Sequence, residues 1–338
     1  MDTTFPDIIG QQSAKRVLDF HIGGFKATKV MPHLMFVAPK GCGKTTLAKA
    51  VARTLKGIDD AKRYFEINCS TIKNVKQFFN QLVIPLMQDR DATILFDEAS
   101  EIPKDVSMAM LTILNPNAEN MTSFSFEDYT VDFDFSRLSF MFATTETQSV
   151  FHALMDRLER VDLEEYSIDE MGQIVAMNLQ IDIEPKTLRD IAGVLRGNAR
   201  AAQKMAHKIV SYSKQNSVRR FDATHWQDLS RILNIFPLGL NVTEIQLLRI
   251  LKDNKDCSLT NLSAKTGISK QAVQRDFEIY LQKHSLMEIT TAGRNITAKG
   301  LDYLKLLEPN GADYKDNHNV WGADETIKDF SSPAEINA

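Results

Sequence analysis

The chain has 338 residues, 43% of them hydrophobic and 25% charged. That composition is ordinary for a globular protein and leaves room for about two or three domains of ~150 residues. A net charge of −4 excludes a polycation, so any nucleic-acid surface has to be local. No apolar run approaches the ~20 residues of a membrane span. The opening MDTTFPDIIG lacks the basic and apolar regions of a signal peptide. Cys42, Cys69 and Cys257 fall at neither a C-x-x-C nor a metal-binding spacing, and are read as reduced thiols of a cytoplasmic protein.

The first strong signal is HLMFVAPKGCGKTTLAKA, from His33 to Ala50. Leu34 to Val37 are continuously apolar and predict a buried strand, while Leu47, Ala48, Val51 and Leu55 recur at helical spacing. Between them, Gly41 and Gly43 let the backbone turn with its N–H groups inward, a nest for anions at a helix N-terminus. In this motif Lys44 reaches the β- and γ-phosphates of a nucleotide, and the Thr45 hydroxyl binds Mg²⁺. Cys42 fills a variable loop position and Thr46 opens the helix. The loop departs from the usual pattern at its first glycine, which is Ala38 here.

A second buried strand is predicted over Ala92–Phe96, ending in Asp97 and Glu98. An acid at such a strand end holds the Mg²⁺ shell, and an adjacent carboxylate polarises the attacking water. The pair gains its meaning from lying downstream of the phosphate loop. Next, MTSFSFEDYTVDFDFSRLSF alternates aromatics with polar residues and predicts a β-hairpin over Met121 to Phe140. It is short and acidic, with Glu127, Asp128, Asp132 and Asp134. A third apolar run, RLSFMFATTE, ends in two threonines. Strand carboxyl ends line the ligand crevice of a parallel sheet. Thr145 there either senses the γ-phosphate or caps the next helix.

SIDE, Ser167 to Glu170, is a capping box opening a helix with Ile174, Val175 and Leu179 on one face. Further helices follow to about Phe236 with no comparable strand signal. FPLGL then supplies a Pro/Gly break. From Thr243 the pattern reads as helix, helix, glycine turn and second helix with Ser269 as N-cap, then a hairpin wing over LMEITTAGRNIT: a winged helix. Lys270, Gln274 and Arg275 lie on the second helix and Arg294 at the wing tip. Such residues neutralise DNA phosphates without reading sequence. A protein-docking winged helix is the alternative.

Taken together, IIGQ (Ile8–Gln11), the phosphate loop, LFDE (Leu95–Glu98), ATT (Ala143–Thr145), DR (Asp156–Arg157), RGNAR (Arg196–Arg200) and the segment from Gly239 resemble the RuvB family of AAA+ ATPases. The similarity runs from about Phe5 to Leu307. It implies an α/β AAA+ P-loop domain with a parallel sheet over 1–165, a small helical lid over 166–236, a winged-helix DNA-binding domain over 237–307 and a flexible acidic tail over 308–338. It implies an ATP hydrolase that drives branched DNA through Holliday junction branch migration. Ile8 and Ile9 then lie against adenine. Gly41, Cys42, Gly43, Lys44, Thr45 and Thr46 hold phosphate, Thr45 and Asp97 hold Mg²⁺, and Glu98 holds the water. Thr145 is the first sensor and Arg200 the second. Arg157 is the finger completing a neighbouring subunit's site, with Arg160 the second candidate, so a ring, a hexamer, is implied. The hairpin matches the one that meets the junction-binding partner RuvA in that family. Trp321 in the tail is a candidate docking anchor against the plainer reading of an inert tail.

Three other readings remain. A clamp-loader-type switch has an S-R-C finger segment where this chain has MDRLER, and a helical collar instead of a winged helix. An initiator or helicase loader of the Orc/Cdc6 kind carries a winged helix but uses ATP as an assembly switch. A binding module without turnover has no need of Glu98.

Overall fold

The continuous apolar runs form the buried strands of a parallel sheet. In the computed structural model, which describes residues 4–28, 30–55, 62–88, 90–114, 121–126, 129–134 and 137–307, the chain divides into two compact units. The first is residues 1–170 with 197–199, and the second is 171–196 with 200–338.

In the first unit, helix α1 (Gln12–Thr28) precedes strand β1 (Leu34–Val37) and helix α2 (Lys44–Thr54). Strand β2 (Arg63–Asn68) is followed by a short helix, Val75–Phe78, that runs into a π-helical segment, Phe79–Met87. Then come β3 (Ala92–Asp97), α3 (Lys104–Ile113), the β4–β5 ribbon (Met121–Phe126 and Tyr129–Asp134), β6 (Leu138–Thr144) and β7 (Glu159–Asp162). The five-stranded sheet has the order β2-β3-β6-β1-β7, and every pairing in it is parallel.

Alternation along the central strands explains how one sheet makes two cores. Met35, Ile94, Phe96, Phe140 and Phe142 enter one apolar cluster, whereas Leu34, Phe36, Leu95, Met141 and Ala143 enter the other. Phe96 stacks on Phe142 at 5.1 Å between ring centres. The edge strands β2 and β7 are largely exposed, as their mixed sequences require.

The expected hairpin is a six-pair antiparallel ladder, Met121 opposite Asp134 through Phe126 opposite Tyr129. Its acidic Glu127 and Asp128 lie outside the described residues, as do 308–338 with Trp321.

Helix α4 (Ile168–Met177) opens on the anticipated capping box. The Ser167 hydroxyl accepts from the Glu170 N–H at 3.2 Å and a Glu170 carboxylate oxygen accepts from the Ser167 N–H at 2.8 Å. The lid continues through α5 (Pro185–Gly193), α6 (Ala199–Gln215) and α7 (Ala223–Ile232). It also holds a two-residue parallel pair, β8 (Asp182–Ile183) with β9 (Arg220–Phe221), too short to leave a sequence period. The winged helix comprises α8 (Val242–Asp253), α9 (Leu259–Thr266), a helix running through the segments Lys270–Ala272, Val273–Glu278 and Ile279–Lys283, the wing β10 (Met287–Ile289) and β11 (Arg294–Ile296), and α10 (Ala298–Leu307). Of the expected lid, 171–196 and 200–236 share the second unit with the winged helix, whereas 166–170 and 197–199 group with the first. Among the described residues, no helix is long and apolar enough to cross a membrane.

Gly23 and Gly24 sit inside α1, where an added Cβ would meet nothing within 4 Å. Glycine in a helix interior costs ~1 kcal/mol relative to alanine. Gly23→Ala should therefore raise the unfolding free energy by roughly 0.5–1 kcal/mol, read by urea titration. A loss of stability would contradict the open helix face.

Candidate functional site

The carboxyl ends of the sheet bring the nucleotide motifs together. Val37 is registered against Thr144, and Asp97 against both Asn68 and Ala143. Beyond β1, Gly41 and Gly43 hold φ of +87° and +90°, a region that L side chains rarely adopt. A Cβ on Gly41 would lie 2.2 Å from the Asn198 side chain, and one on Gly43 would lie 2.8 Å from the Tyr166 hydroxyl. Ala38 is absent from the positive-φ positions, which is why alanine serves where the motif usually has glycine.

Lys44 heads α2 and donates from Nζ to the carbonyls of Ala38 at 2.7 Å and Pro39 at 3.0 Å. The Thr45 hydroxyl lies 3.4 Å from an Asp97 carboxylate oxygen. Cys42 is buried, and Thr46 is exposed on the next turn. Glu98 is exposed and takes a left-handed backbone at φ +57°, with its N–H donating to Asp97 Oδ1 at 3.1 Å. A non-glycine residue held there stores about 1–3 kcal/mol of strain, a recurrent property of functional positions. The negative field at this edge is felt nearby: burial first, then Asp97, Glu98 and Glu101, hold the Cys69 thiol above its ordinary range.

These donors suit Mg²⁺. The ion prefers oxygen ligands and is usually held by one or two carboxylates together with substrate phosphates. Thr45 and Asp97 offer that set, and among the described residues no group of three or more His, Cys, Asp or Glu forms a protein-only metal cage.

Thr145 is exposed immediately after β6. The hydroxyl that receives a backbone N–H here belongs to the buried Thr144, which accepts from Glu146 at 3.0 Å. Ile8 and Ile9 are half-buried, and Ile8 packs on the core beside α1. Arg157 donates to the Ala153 carbonyl at 2.8 Å, while exposed Arg160 is spent on a fork to Asp162 at 2.7–2.9 Å. Arg200 is exposed at the start of α6, in the second unit.

Three further residues shape the loop, and sequence reading gave them no role. Gln11, 5% exposed, donates to the carbonyls of Glu164 at 2.8 Å and Cys42 at 3.4 Å and accepts from the Glu164 N–H at 3.0 Å. Asn198 and Tyr166 back the two loop glycines. The Ala199 N–H donates to the Gly41 carbonyl at 3.0 Å. The only available signal was the Gly-Gln pair ahead of α1.

On the winged helix, Ser269 caps its helix by accepting from the Ala272 N–H at 3.3 Å. Lys270, Gln274 and Arg275 are exposed along that helix, with Arg275 3.1 Å from Asp276. Arg294 differs from its expected place. It lies in β11 opposite Ile289 and not at the wing tip, which is Thr290 to Gly293. Its guanidinium forks onto Glu278 at 2.6 and 3.3 Å, with the side chains 14% and 4% exposed. A carboxylate buried on the apolar side of a helix demands such a partner.

Residues 34–166 match the family model "ATPase family associated with various cellular activities (AAA)", and residues 237–305 match the "RuvB C-terminal winged helix domain". The Holliday junction branch migration complex subunit RuvB of Trichormus variabilis is 25% identical over 328 residues, covering 90% of this chain and 84% of that protein. The Mycoplasma genitalium subunit of the same name is 23% identical over 308 residues, covering 89% and 96%. The Thermotoga maritima RuvB Holliday junction branch migration motor superposes with a TM-score of 0.70 at 20% identity, covering 88% of this chain and 95% of that one, a likeness of fold.

Removing one member of a buried ion pair costs ~3–5 kcal/mol because the other charge is stranded. Arg294→Ala should therefore lower winged-helix stability by about that amount, and the paired change Arg294→Met with Glu278→Leu should recover most of it. Unchanged stability in a chemical denaturation of Arg294→Ala would contradict the inward fork.

Proposed function

We propose that this chain is a RuvB-like AAA+ ATPase that turns ATP hydrolysis into movement of branched DNA. One observation carries the reading: a single chain joins the phosphate loop to a match with the RuvB C-terminal winged helix domain. The relatives' printed names, Holliday junction branch migration complex subunits, supply the substrate class.

The chemistry follows from the strand ends. Inward N–H groups of the Gly41–Gly43 turn and the Lys44 ammonium hold the phosphates. Mg²⁺, when bound by Thr45 and Asp97, supplies charge neutralisation on the phosphate oxygens. Glu98 accepts a proton from the attacking water. Thr145, exposed at the end of β6, orients the γ-phosphate, and Arg200 reads it from the lid. Ile8 and Ile9 give the base an apolar seat. Arg157 completes the site of the next subunit, which makes turnover depend on a ring, six-membered by resemblance. Lys270, Gln274 and Arg275 meet DNA phosphates on the exposed helix. Arg294 supports that helix through Glu278 and is turned inward, away from a phosphate-binding role. The β4–β5 ribbon is the proposed surface for a junction-binding partner, with its acidic residues favouring a basic one.

The direct test is ATP-dependent branch migration of a labelled four-way junction into two duplex products. ATP-dependent loading with no movement of the junction would favour the clamp-loader or initiator reading. Within the active form, Glu98→Gln keeps geometry but removes the base. It should bind ATP as the parent does and lose at least ~100-fold in hydrolysis, the lower end of a general-base contribution. Parental turnover would remove Glu98 from its role.

The finger has its own signature. A trans arginine is worth about 10³–10⁵ in rate where it has been dissected. Arg157→Ala subunits should bind ATP and turn over poorly. Mixing them with Lys44→Ala subunits should restore part of the activity, because some interfaces then pair an intact loop with an intact finger. Confirmed mixed rings with no recovery at any ratio would point away from Arg157, and Arg160→Ala serves as the comparison.

A further inference from the structure

The FPLGL segment behaves as a bolted joint, although its Pro/Gly content reads as a flexible break. It forms a tight turn, Pro237–Gly239, with Leu238 and Gly239 both at positive φ. Each carbonyl of the joint is taken. The Phe236 carbonyl accepts from the Gly239 N–H, and Pro237 accepts from the Tyr303 hydroxyl at 2.7 Å. Leu238 accepts from the Tyr280 hydroxyl at 2.7 Å, and Gly239 accepts from the Arg196 guanidinium. A Cβ on Gly239 would lie 2.2 Å from the Val194 carbonyl oxygen, so the end of the lid helix α5 and the joint touch backbone to backbone.

Arg196 unites these contacts. It forks onto Glu244, Nη1 to Oε1 at 2.9 Å and Nη2 to Oε2 at 2.7 Å. Glu244 is fully buried, and its Oε2 also accepts from the Asn241 N–H at the start of α8. The guanidinium carbon lies over the Tyr280 ring, 3.7 Å from its centre, and Tyr280 belongs to the same helix as Lys270 and Arg275. Only arginine offers a planar fork for a carboxylate, a further donor for a carbonyl and a face for an aromatic ring at once. Its own backbone is left-handed, φ +54°, in a non-glycine residue. Arg196 is bonded directly to Gly197, the first residue of the 197–199 segment that groups with the phosphate-loop unit and carries the Ala199–Gly41 hydrogen bond.

We propose that Arg196 is a positioning residue that locks the lid to the winged helix, so that the lid helices and the helix bearing Lys270 and Arg275 move as one piece. The delivery of movement rests on the DNA-motor reading. The lock itself does not.

The test uses the full chain with spin labels at Lys208→Cys on α6 and Thr260→Cys on α9, both exposed sites; the native cysteines are buried. The parent should give one narrow lid-to-wing distance distribution. Arg196→Lys keeps a cation for Glu244 but loses the fork and the stack, and should at least double that width. Its ATPase without DNA and its DNA affinity should stay within twofold of the parent, while base pairs moved per ATP fall at least fivefold. A purely structural role would lower all three together with the folded fraction. If Arg196→Lys does not fold, Tyr280→Phe, which removes the hydroxyl bonded to Leu238, should widen the distribution by a smaller factor. A distribution as narrow as the parent's in the folded variants overturns the proposal. Should the parent itself move no junction, the motor reading falls, while the distance distribution still decides the lock.

Discussion

One backbone hydrogen bond organises the functional half of the molecule: the Ala199 N–H on the Gly41 carbonyl. It ties the phosphate loop to a three-residue segment inserted between two stretches of the second unit. The loop can receive it because Gly41 and Gly43 take left-handed turns with Asn198 and Tyr166 packed where side chains would otherwise stand. A side chain at Gly41 would meet Asn198 and disturb that hydrogen bond.

The parallel sheet then sets the chemistry. Its register aligns the ends of β1, β3 and β6, so the loop, the acidic pair and Thr145 emerge along one edge. Strand burial makes that edge rigid. The strained backbone at Glu98 persists because Asp97 and the following turn over-determine it. Two buried carboxylates, Glu244 and Glu278, play a different part in the second unit. Each is matched by one arginine fork; the Arg294 fork braces the helix that carries the exposed cations, and the Arg196 guanidinium meets that helix at Tyr280. Replacing such forks by apolar residues often leaves stability intact, so their geometric definition is the more informative property.

What the sequence made legible was local. The strand–glycine–helix succession, the SIDE capping box and the Ser269 cap each depend on residues within a few positions, and the structure reproduces them. The parallel sheet and winged helix follow from periodicity and order. Contacts across long separations were not legible. Gln11 meets Glu164 across 153 positions, and Asn198 reaches Gly41 from a comparable distance along the chain. Arg294 was misplaced because a charged residue beside a Gly turn reads as exposed. The missed signal was Glu278, a carboxylate on the same helix side as Val273 and Leu281 that needed a cation. Glu244, beside Ile245 and Leu248, gave the same warning about Arg196.

In the proposed ring, subunits assemble on DNA so that one subunit's arginine serves its neighbour's nucleotide while the winged helices hold the duplex. Electron microscopy of the full chain with a slowly hydrolysed ATP analogue and a four-way junction tests it most directly. The expected result is a closed ring around a duplex arm, with Arg157 directed at the adjacent phosphate loop and the helix bearing Lys270 and Arg275 against the DNA backbone. Winged helices turned away from DNA, or loops completed with no residue from a neighbour, would contradict it.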